Sequence, residues 1–477
     1  MSTMTTDLLG RTAVAGTSSR LTGRRRDQAT LGLLVSAQFL VMLDASIVNV
    51  ALPSIQAELG FGPAGVTWVI NAYVLAFAGL LLLSGRAADV FGRRRLFVGG
   101  ACLFTVGTLL AALAVAQEML IAGRAVQGVG AAALSPAAMS LLLAAFPAAH
   151  RGRAMGAWGA ASTLGGATGV VAGGVLAGTV GWRAVFLVTV PVSAVAVLLA
   201  RRLLVEDVSG ARRTFDWAGA AVLTAAVIAL VHGAVDAVDH VWTNPRVVGL
   251  LACSAGLMVA FLAIERRAQD PLIPLELFRS RALRTGTALA LLGGATRAST
   301  FVLVALYFQQ VLAMSPEQAG FAMVPTSLTG FAVSLYVLPR VLGAMGPARS
   351  LVLGLVILAV GHLWLAYAPP SSGYVVAVLP GLLLVATGVA LSFTPTTMVV
   401  ASAVPSSHTG LASGLAAASM QIGAAVGTAA FVVVGASASR QADGALNASG
   451  FSAAFTAAAI VALATAVLGW GLARSRA

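Results

Sequence analysis

The sequence predicts an all-α polytopic membrane protein with fourteen transmembrane helices, arranged as two six-helix bundles and two extra linking helices. Three observations lead to this fold class. The 477 residues are 59% hydrophobic and only 9% charged, whereas about a quarter of the residues in soluble domains are charged. Apolar windows of about 20 residues, long enough for a ~30 Å hydrocarbon core, follow one another along the chain. Charged residues cluster in the short breaks between these windows.

The candidate spans are apolar windows bounded by charge, proline and glycine clusters. They cover residues 31–53, 66–85, 95–116, 119–145, 153–178, 183–200, 217–235, 246–264, 285–308, 320–339, 350–368, 374–399, 409–435 and 451–472. The expected organisation is an N-terminal tail, a six-helix bundle, a linker with two additional helices, a second six-helix bundle and a short tail. Their boundaries are 1–29, 30–202, 203–284, 285–473 and 474–477.

The basic residues give the orientation of these spans. All 29 are arginine, and 24 of them lie in the two tails and the loops of one side, whereas the opposite loops hold only Arg183, Arg246 and Arg440. The positive-inside rule therefore puts both termini in the cytoplasm. The basic surplus is explained by topology, so nucleic acid is not an expected partner. Because lysine is absent, the phosphate-binding motif GxxxxGK[ST] is absent too, and a gradient is the expected energy source.

The chain contains an internal repeat. The segment FPAAHRGRAMG, 146–156, returns as VPSSHTGLASG, 404–414, at a shift of 258. A weaker echo at a shift of 254 relates Arg86, Gly92 and Arg95 to Arg340, Gly346 and Arg349. Both pairs fall at equivalent loops if the first six and last six spans are parallel halves, as in many transporters.

Three motifs resemble those of the major facilitator superfamily. GRAADVFGRRRL, 85–96, is similar to its signature loop between the second and third helices. LDASIVNVALPSI, 43–55, and LIAGRAVQGVGAA, 120–132, resemble motifs of its fourteen-helix drug:proton antiporter family, which contains multidrug and antibiotic exporters. The resemblance implies a latch that closes the cytoplasmic side, in which the acid pairs with an arginine. Its residues are Gly85, Asp89, Gly92, Arg93 and Arg94.

The fifth span departs from the pattern of these antiporters. LGGATGVVAGG, 164–174, has Gly166 and Val170 where the antiporters usually have proline. Gly165, Gly169 and Gly173 nevertheless form a small-residue face at i, i+4 spacing, which predicts close helix packing. The missing prolines leave a proton-coupled symporter or a uniporter of a small solute with the same fold as the alternative to an antiporter.

Charged groups deep in a membrane are costly and usually functional. Asp44 is the only acid deep within a span, and Arg124 and Arg297 are the only deeply embedded bases. At ~1.5 Å per residue, Asp44 and Arg124 lie at depths that allow contact. Burial disfavours the carboxylate and a nearby arginine favours it, so a changing cavity could load and release a proton at Asp44. A permanent structural ion pair is the alternative.

The candidate substrate cavity contains Arg297, near the midplane, together with Tyr73, Trp158, Tyr307 and Gln309. The fixed charge of Arg297 suits contact with an anionic or polyphenolic compound better than proton carriage, although structural pairing or lining a hydrated cavity is an equal alternative. The four other residues have helical-packing or interfacial roles as their alternatives. Cys102 and Cys253 lie in apolar segments and are expected to be packing residues, with no metal site.

These observations predict a secondary active transporter that exports hydrophobic drugs or secondary metabolites, such as antibiotics, in exchange for protons. An enzyme is not expected, because the chain has no HExxH, no GxSxG and no paired embedded carboxylates. No cofactor is expected, and the proton gradient supplies the energy. The expected partners are the lipid bilayer, a small hydrophobic substrate and protons, with no obligate protein partner. The composition suits a GC-rich genome and a multi-pass protein of the bacterial inner membrane.

Overall fold

The computed structural model describes residues 6–62, 65–204, 216–239, 242–369, 372–439 and 446–474, and the regular structure in this part of the chain is helical throughout. The α-helices are α1 (Thr6–Leu59), α2 (Trp68–Phe91), α3 (Arg93–Ala112), α4 (Gln117–Ala145), α5 (Ala148–Thr179), α6 (Trp182–Leu187), α7 (Val190–Leu203), α8 (Trp217–Asp239), α9 (Pro245–Glu265), α10 (Arg281–Gln310), α11 (Pro316–Ala322), α12 (Val324–Ala332), α13 (Leu338–Tyr367), α14 (Leu379–Ala401), α15 (Thr409–Ser439) and α16 (Ala448–Arg474). Shorter 3₁₀ segments, Leu275–Arg279 and Ser406–His408, and π-helical segments, Val333–Val337 and Tyr374–Val378, adjoin them.

Thirteen helical stretches among the described residues are long and apolar enough to cross a membrane. One of them, Gln318–Tyr367, has 50 residues, which at ~1.5 Å per residue exceeds twice the ~30 Å of a hydrocarbon core. Gly346 interrupts this stretch with φ 76° and ψ 174°, a conformation that glycine adopts without a Cβ penalty.

The chain reverses direction at this interruption. Before it, the segment 322–334 runs parallel to α14, since Tyr374 donates a hydrogen bond to the carbonyl of Ala322 and Ser334 and Thr394 both lie against Gly159. After it, the direction is antiparallel, because Gly354 packs near residue 391 and Gly361 near residues 381 and 385 of α14. The long stretch thus makes two crossings, and thirteen stretches correspond to the fourteen predicted spans. The predicted all-α polytopic fold is confirmed.

Two boundaries differ from the prediction. The first helix begins at Thr6 and includes most of the segment expected as a tail. No proline occurs before Pro53, so no proline interrupts the helix where it leaves the membrane. The sixth span consists of two helices, α6 and α7, separated at residues 188–189. The segment 205–215 of the predicted linker lies outside the described residues, and the division into two bundles and a linker stays a prediction.

The glycine face of α5 lies directly on α1. A Cβ built at Gly165 would lie 2.6 Å from the carbonyl oxygen of Phe39, one at Gly169 would lie 2.8 Å from that of Leu43, and one at Gly173 would lie 2.7 Å from that of Ile47. Side chains at these positions would push the helices apart. Glycines at this spacing let two backbones approach closely, which is how small residues stabilise helix pairs in membranes.

We expect Gly169→Val to destabilise the protein, whereas Gly178→Val in the same helix should not. The Gly169 Cβ would also lie 2.8 Å from the Cβ of Ser46, whereas nothing lies within 4 Å of a Cβ at Gly178. Overpacking of this kind costs about 1–3 kcal/mol. Thermal unfolding of the detergent-solubilised protein should therefore move down by several degrees for the first variant only. Equal midpoints for the two variants would contradict this account of α5.

The linking helices α8 and α9 pack on each other, and the Ser254 hydroxyl donates to the carbonyl oxygen of Ala226 at 2.8 Å. Helix α8 packs against both α2 and α15 where these two helices meet. It contacts α2 where Ile228 covers Gly79, and it contacts α15 through a cluster of Ala237, Val247 and Ala429. The two linking helices therefore contact both the first and the last third of the chain.

The prediction that the two cysteines are packing residues is wrong. Cys102 on α3 and Cys253 on α9 are both exposed on the outside of the helices. The thiol is a small apolar group, so a position that faces lipid suits it as well as a position in the protein core.

Candidate functional site

The two predicted coupling residues meet between α1 and α4. The Nη1 atom of Arg124 donates to Oδ2 of Asp44 at 2.8 Å. Asp44 is 0% exposed and Arg124 is 1% exposed, so water cannot screen their interaction. The structure thus brings together the one acid deep within a span and the embedded base of the first half.

Two neutral side chains complete the surroundings of Asp44. The Nε2 atom of Gln127 donates to Oδ1 of Asp44 and to the hydroxyl of Thr108, each at 2.8 Å, while its Oε1 accepts from Arg124 at 2.7 Å. Both carboxylate oxygens therefore have a donor. Gln127 belongs to the motif in the fourth span and follows Arg124 by three residues, so the two lie on the same helix face. This spacing could have identified Gln127 from the sequence. Thr108 on α3 gave no signal, because isolated threonines are common in membrane spans.

Helix α2 holds the other side of Arg124. The Nε atom donates to the carbonyl oxygen of Val69 at 2.9 Å, and the guanidinium carbon lies 4.3 Å from the centre of the Tyr73 ring, within the range of a cation–π contact. This approach depends on Gly128 of α4, where a Cβ would lie 2.5 Å from the carbonyl oxygen of Tyr73. Arg124 therefore keeps partners on α2 even when Asp44 is neutral.

Asp44 thus has one charged partner and one amide partner, in a site without exposed surface. Removing one member of such a buried pair costs about 3–5 kcal/mol, because the remaining charge stays uncompensated. Arg124 thus holds α1 through Asp44 and holds α2 through Val69 and Tyr73.

Gln38 forms a second polar contact on the same helix, six residues before Asp44. Its Nε2 donates to the hydroxyl of Ser162 on α5 at 2.9 Å, and its Oε1 accepts from Ser135 on α4 at 3.4 Å. Gln38 is 3% exposed. Polar side chains thus continue along the inner face of α1, and sequence reasoning missed this residue because it carries no charge.

Arg297 lies on α10 among neutral residues. It is 4% exposed, its Nη1 is 3.4 Å from the hydroxyl of Ser392 on α14, and its Nη2 is buried without a hydrogen-bond partner. Helix α14 gives the guanidinium a single weak acceptor, in contrast to the four partners around Arg124.

The other predicted cavity residues fall in different places. Tyr73 contacts the Asp44 centre through Arg124, and its hydroxyl is buried without a hydrogen-bond partner. Trp158 belongs to the apolar core around α2, α4 and α5, and Tyr307 packs edge-on against Phe451 at 5.3 Å in the core of the second half. Gln309 is exposed at the end of α10. The structure does not gather these four residues with Arg297 into one site.

The predicted latch residues lie where α2 crosses the start of α15. Oδ1 and Oδ2 of Asp89 accept hydrogen bonds from the backbone N–H groups of Gly410 at 2.9 Å and Leu411 at 2.7 Å. Arg93 is 3.5 Å from the same carboxylate and donates to the carbonyl oxygen of Ser406 at 2.9 Å. A carboxylate at a helix N-terminus satisfies free N–H groups and meets the positive end of the helix dipole. Asp89 thus joins the two halves of the chain directly.

The glycines of this segment allow the crossing. A Cβ at Gly85 would lie 2.5 Å from the carbonyl oxygen of Gly410 and 2.8 Å from Cα of Gly414. Gly92 separates α2 from α3 with φ 98°, and its repeat partner Gly346 also has a positive φ, 76°. Arg94 donates to the carbonyl oxygen of Arg201 at the end of α7 at 2.8 Å. The two halves are therefore in contact at this end of α2.

A cation site is not indicated. Among the described residues, no group of three or more histidine, cysteine, aspartate or glutamate side chains is placed to hold a metal ion. The polar centres described above are instead an ion pair, a buried arginine and a carboxylate at a helix end.

A family model described as the Major Facilitator Superfamily matches residues 34–428. The chain is 38% identical over 465 residues to the cephamycin export protein CmcT of Amycolatopsis lactamdurans, covering 96% of this chain and 95% of that protein. It is 36% identical over 463 residues to the puromycin resistance protein pur8 of Streptomyces alboniger, covering 94% and 91%. It is 34% identical over 419 residues to the tetracenomycin C resistance and export protein of Streptomyces glaucescens, covering 87% and 77%.

Solved structures share the fold at low sequence identity. The human organic anion transporter MFSD10 (TETRAN) superposes with a TM-score of 0.67 and 15% identity, covering 93% of this chain and 99% of that one. The proton:xylose symporter XylE superposes with a TM-score of 0.66 and 15% identity, covering 94% and 96%. At this identity the likeness concerns the fold alone.

Proposed function

The chain belongs to the Major Facilitator Superfamily, and from that membership we propose that it exports a hydrophobic antibiotic or drug from the cell in exchange for protons. It is a multi-pass membrane transporter and not an enzyme. The names of three relatives support export as the direction, because they describe export of or resistance to cephamycin, puromycin and tetracenomycin C.

The observation that carries the coupling proposal is the complete burial of Asp44 against Arg124, 2.8 Å away. A group that binds and releases a proton during transport needs an environment that changes between conformations. Asp44 lies where α1, α3 and α4 meet, so a movement of α1 and α5 away from α4 would separate it from Arg124 and Gln127 together. In one conformation, water would then connect the carboxylate to the external solution, from which it takes up a proton.

The proposed cycle follows from the contacts around this pair. Protonation of Asp44 from outside releases α1 from Arg124, and the halves then separate at the α2–α15 crossing. Opening toward the cytoplasm delivers the proton there and admits the hydrophobic substrate. Loss of the proton restores the ion pair, α1 returns to α4, and the substrate leaves on the other side.

The orientation belongs to the same proposal. We place both termini and the latch around Asp89 in the cytoplasm, because the loops that accompany the latch hold most of the arginines, and positive charge stays on the cytoplasmic side. The protein would then lie in the bacterial cytoplasmic membrane, as its relatives from Amycolatopsis and Streptomyces suggest.

The test is substrate-induced collapse of a pH gradient in inverted membrane vesicles from cells without their own exporters. The panel contains a cephamycin, puromycin, tetracenomycin C and neutral lipophilic dyes. We expect at least one compound to accumulate in the vesicles and to dissipate the gradient, with neither effect in vesicles that lack the protein. Entry of a compound without proton movement would indicate the uniporter, and compound and protons moving in the same direction would indicate the symporter.

A further inference from the structure

Arg297 is a buried cation without a compensating charge. The five membrane-crossing stretches of the second half, Arg281–Gln310, Gln318–Tyr367, Tyr374–Ala401, Ser406–Ser439 and Ala448–Arg474, contain no aspartate or glutamate. Arg124 in the first half, by contrast, has a carboxylate, an amide, a carbonyl and an aromatic ring. A positive charge that spends its whole cycle in this state would be costly.

The internal repeat shows which face of α10 bears Arg297. Gly165 and Gly169 of α5 pack against Phe39 and Leu43 of α1. Their repeat partners in α15, Gly423 and Gly427, pack against α10 in the same way, at Leu291 and Ala295. The contacts therefore make α10 the counterpart of α1 in the second half. Each residue of α1 corresponds to the residue of α10 that follows it by 252 positions.

In this correspondence, Arg297 is the counterpart of Ala45. Ala45 follows Asp44 directly and is an exposed position of α1. Arg297 thus lies at the same depth in its half as Asp44 does in the first half, on the face of α10 that corresponds to the exposed face of α1 at Ala45. A ligand held between the halves at the depth of Asp44 would lie within reach of a long side chain from this face of α10.

The side chain is folded back onto its own helix. A Cβ built at Gly293, one turn earlier, would lie 2.6 Å from Nη1 of Arg297, so the guanidinium occupies the space that glycine leaves free. Its hydrogen bond to Ser392 is long, 3.4 Å, and Nη2 has no hydrogen-bond partner. Little holds the side chain in this position, and a change of rotamer would turn the guanidinium away from Gly293.

We propose that Arg297 binds the anionic group of the exported compound, so that the substrates include amphiphilic organic anions such as hydrophobic carboxylates. The planar guanidinium presents paired N–H donors that match the two oxygens of a carboxylate. The apolar residues of the surrounding spans suit the hydrophobic part of such a compound. This inference rests on the proposed export function, since it names the class of compound that the transporter carries.

The test is equilibrium binding of three dansyl probes to the purified full-length protein in detergent. The probes are dansyl-leucine, its methyl ester and dansyl cadaverine, which share a fluorophore and are anionic, neutral and cationic. We expect the wild type to bind dansyl-leucine at least tenfold more tightly than the ester. Arg297→Gln should remove this preference by weakening the anion alone, and Arg297→Lys should retain part of it, because lysine keeps the charge without the paired donors.

Two controls keep the result interpretable. Ser392→Ala removes the one side-chain hydrogen bond of Arg297 and should leave the preference for the anion in place, so it reports whether the region tolerates substitution. Thermal unfolding of each variant shows that the protein is folded. A wild type that binds the ester or the amine as tightly as the anion would overturn the proposal, as would an unchanged preference in Arg297→Gln.

Failure of this proposal can be distinguished from failure of the proposed function. Binding is measured without a pH gradient, so it does not depend on proton coupling. Proton-coupled export of compounds without any charge preference would leave the function standing and refute the role of Arg297. The opposite result is anion-selective binding that is lost in Arg297→Gln, together with no proton movement in vesicles. It would support the role of Arg297 and refute export in exchange for protons.

Discussion

Asp44→Asn is expected to reduce substrate-driven proton movement to the level of vesicles that lack the protein, a loss of at least about 100-fold in proton-coupled accumulation. The variant retains the shape of the side chain and an oxygen that can accept a hydrogen bond, but it cannot exchange a proton. It also leaves the charge of Arg124, 2.8 Å away in the wild type, buried without a counter-charge. Movement of substrate down its own gradient should persist, because the pathway itself is intact. The measurement is the collapse of a preset pH gradient in inverted vesicles.

The matched control is Glu58→Gln in the same helix. Glu58 is ion-paired with Arg183, but its side chain is 51% exposed, so its removal should leave proton movement within about twofold of the wild type, as is usual for surface pairs.

A second comparison separates loss of the proton site from loss of stability. The double variant Asp44→Asn, Arg124→Gln removes both charges of a buried pair, which is often tolerated. It should be more stable than Asp44→Asn and equally unable to move protons. A normal gradient collapse in Asp44→Asn would mean that the pair is structural.

The sequence predicted the Asp44–Arg124 pair because charges inside membrane spans are rare, and a rare feature in a 477-residue chain has few candidate partners. Thr108 and Gln38 could not be found in this way. Neutral polar side chains occur in every span, and only the packing of the helices decides that Thr108 contacts Gln127 and that Gln38 contacts Ser135 and Ser162. Gln127 is intermediate, since its motif named it but its hydrogen bonds to Asp44 and Thr108 depend on the fold.

The cavity residues show a different limit. Trp158 and Tyr307 are aromatic residues in apolar spans, and such residues pack into cores as readily as they line a pathway. Which role applies depends on how each helix is rotated about its axis, and the weak amphipathicity of fully apolar helices does not determine that rotation. The structure places both in cores. The charge of Arg297, by contrast, singled it out from the sequence alone.

The repeat predicted that two loops 254 residues apart are equivalent, and the backbone at their glycines agrees. The weak echo between Gly92 and Gly346 marked two loops as equivalent, and both glycines have a positive φ and separate two helical segments. The contact between Asp89 and the N–H groups of Gly410 and Leu411 had no such signal. It joins residues more than 320 positions apart, and the resemblance had implied only an arginine as the partner of Asp89.

Gly85→Val is expected to abolish transport while leaving the protein folded in the membrane. The new Cβ would lie 2.5 Å from the carbonyl oxygen of Gly410 and 2.8 Å from Cα of Gly414. Both are backbone atoms, so no rotamer change can relieve the overlap, and α2 must move away from α15. That separation also pulls Asp89 from the start of α15. The halves could then no longer close at this end, and transport should fall at least about 100-fold, because the cycle requires both conformations.

The matched control is Gly99→Val in α3, where a built Cβ meets nothing within 4 Å. The conformational readout is Ser413→Cys, placed beside the crossing at a position that is 2% exposed, in a background without Cys102 and Cys253. A membrane-impermeant maleimide applied to inverted vesicles should label this cysteine several-fold faster in Gly85→Val than in Gly99→Val. Because the crossing is the proposed cytoplasmic closure, labelling from that side tests the orientation as well as the latch. Slow labelling together with full transport in Gly85→Val would show that the two halves separate elsewhere.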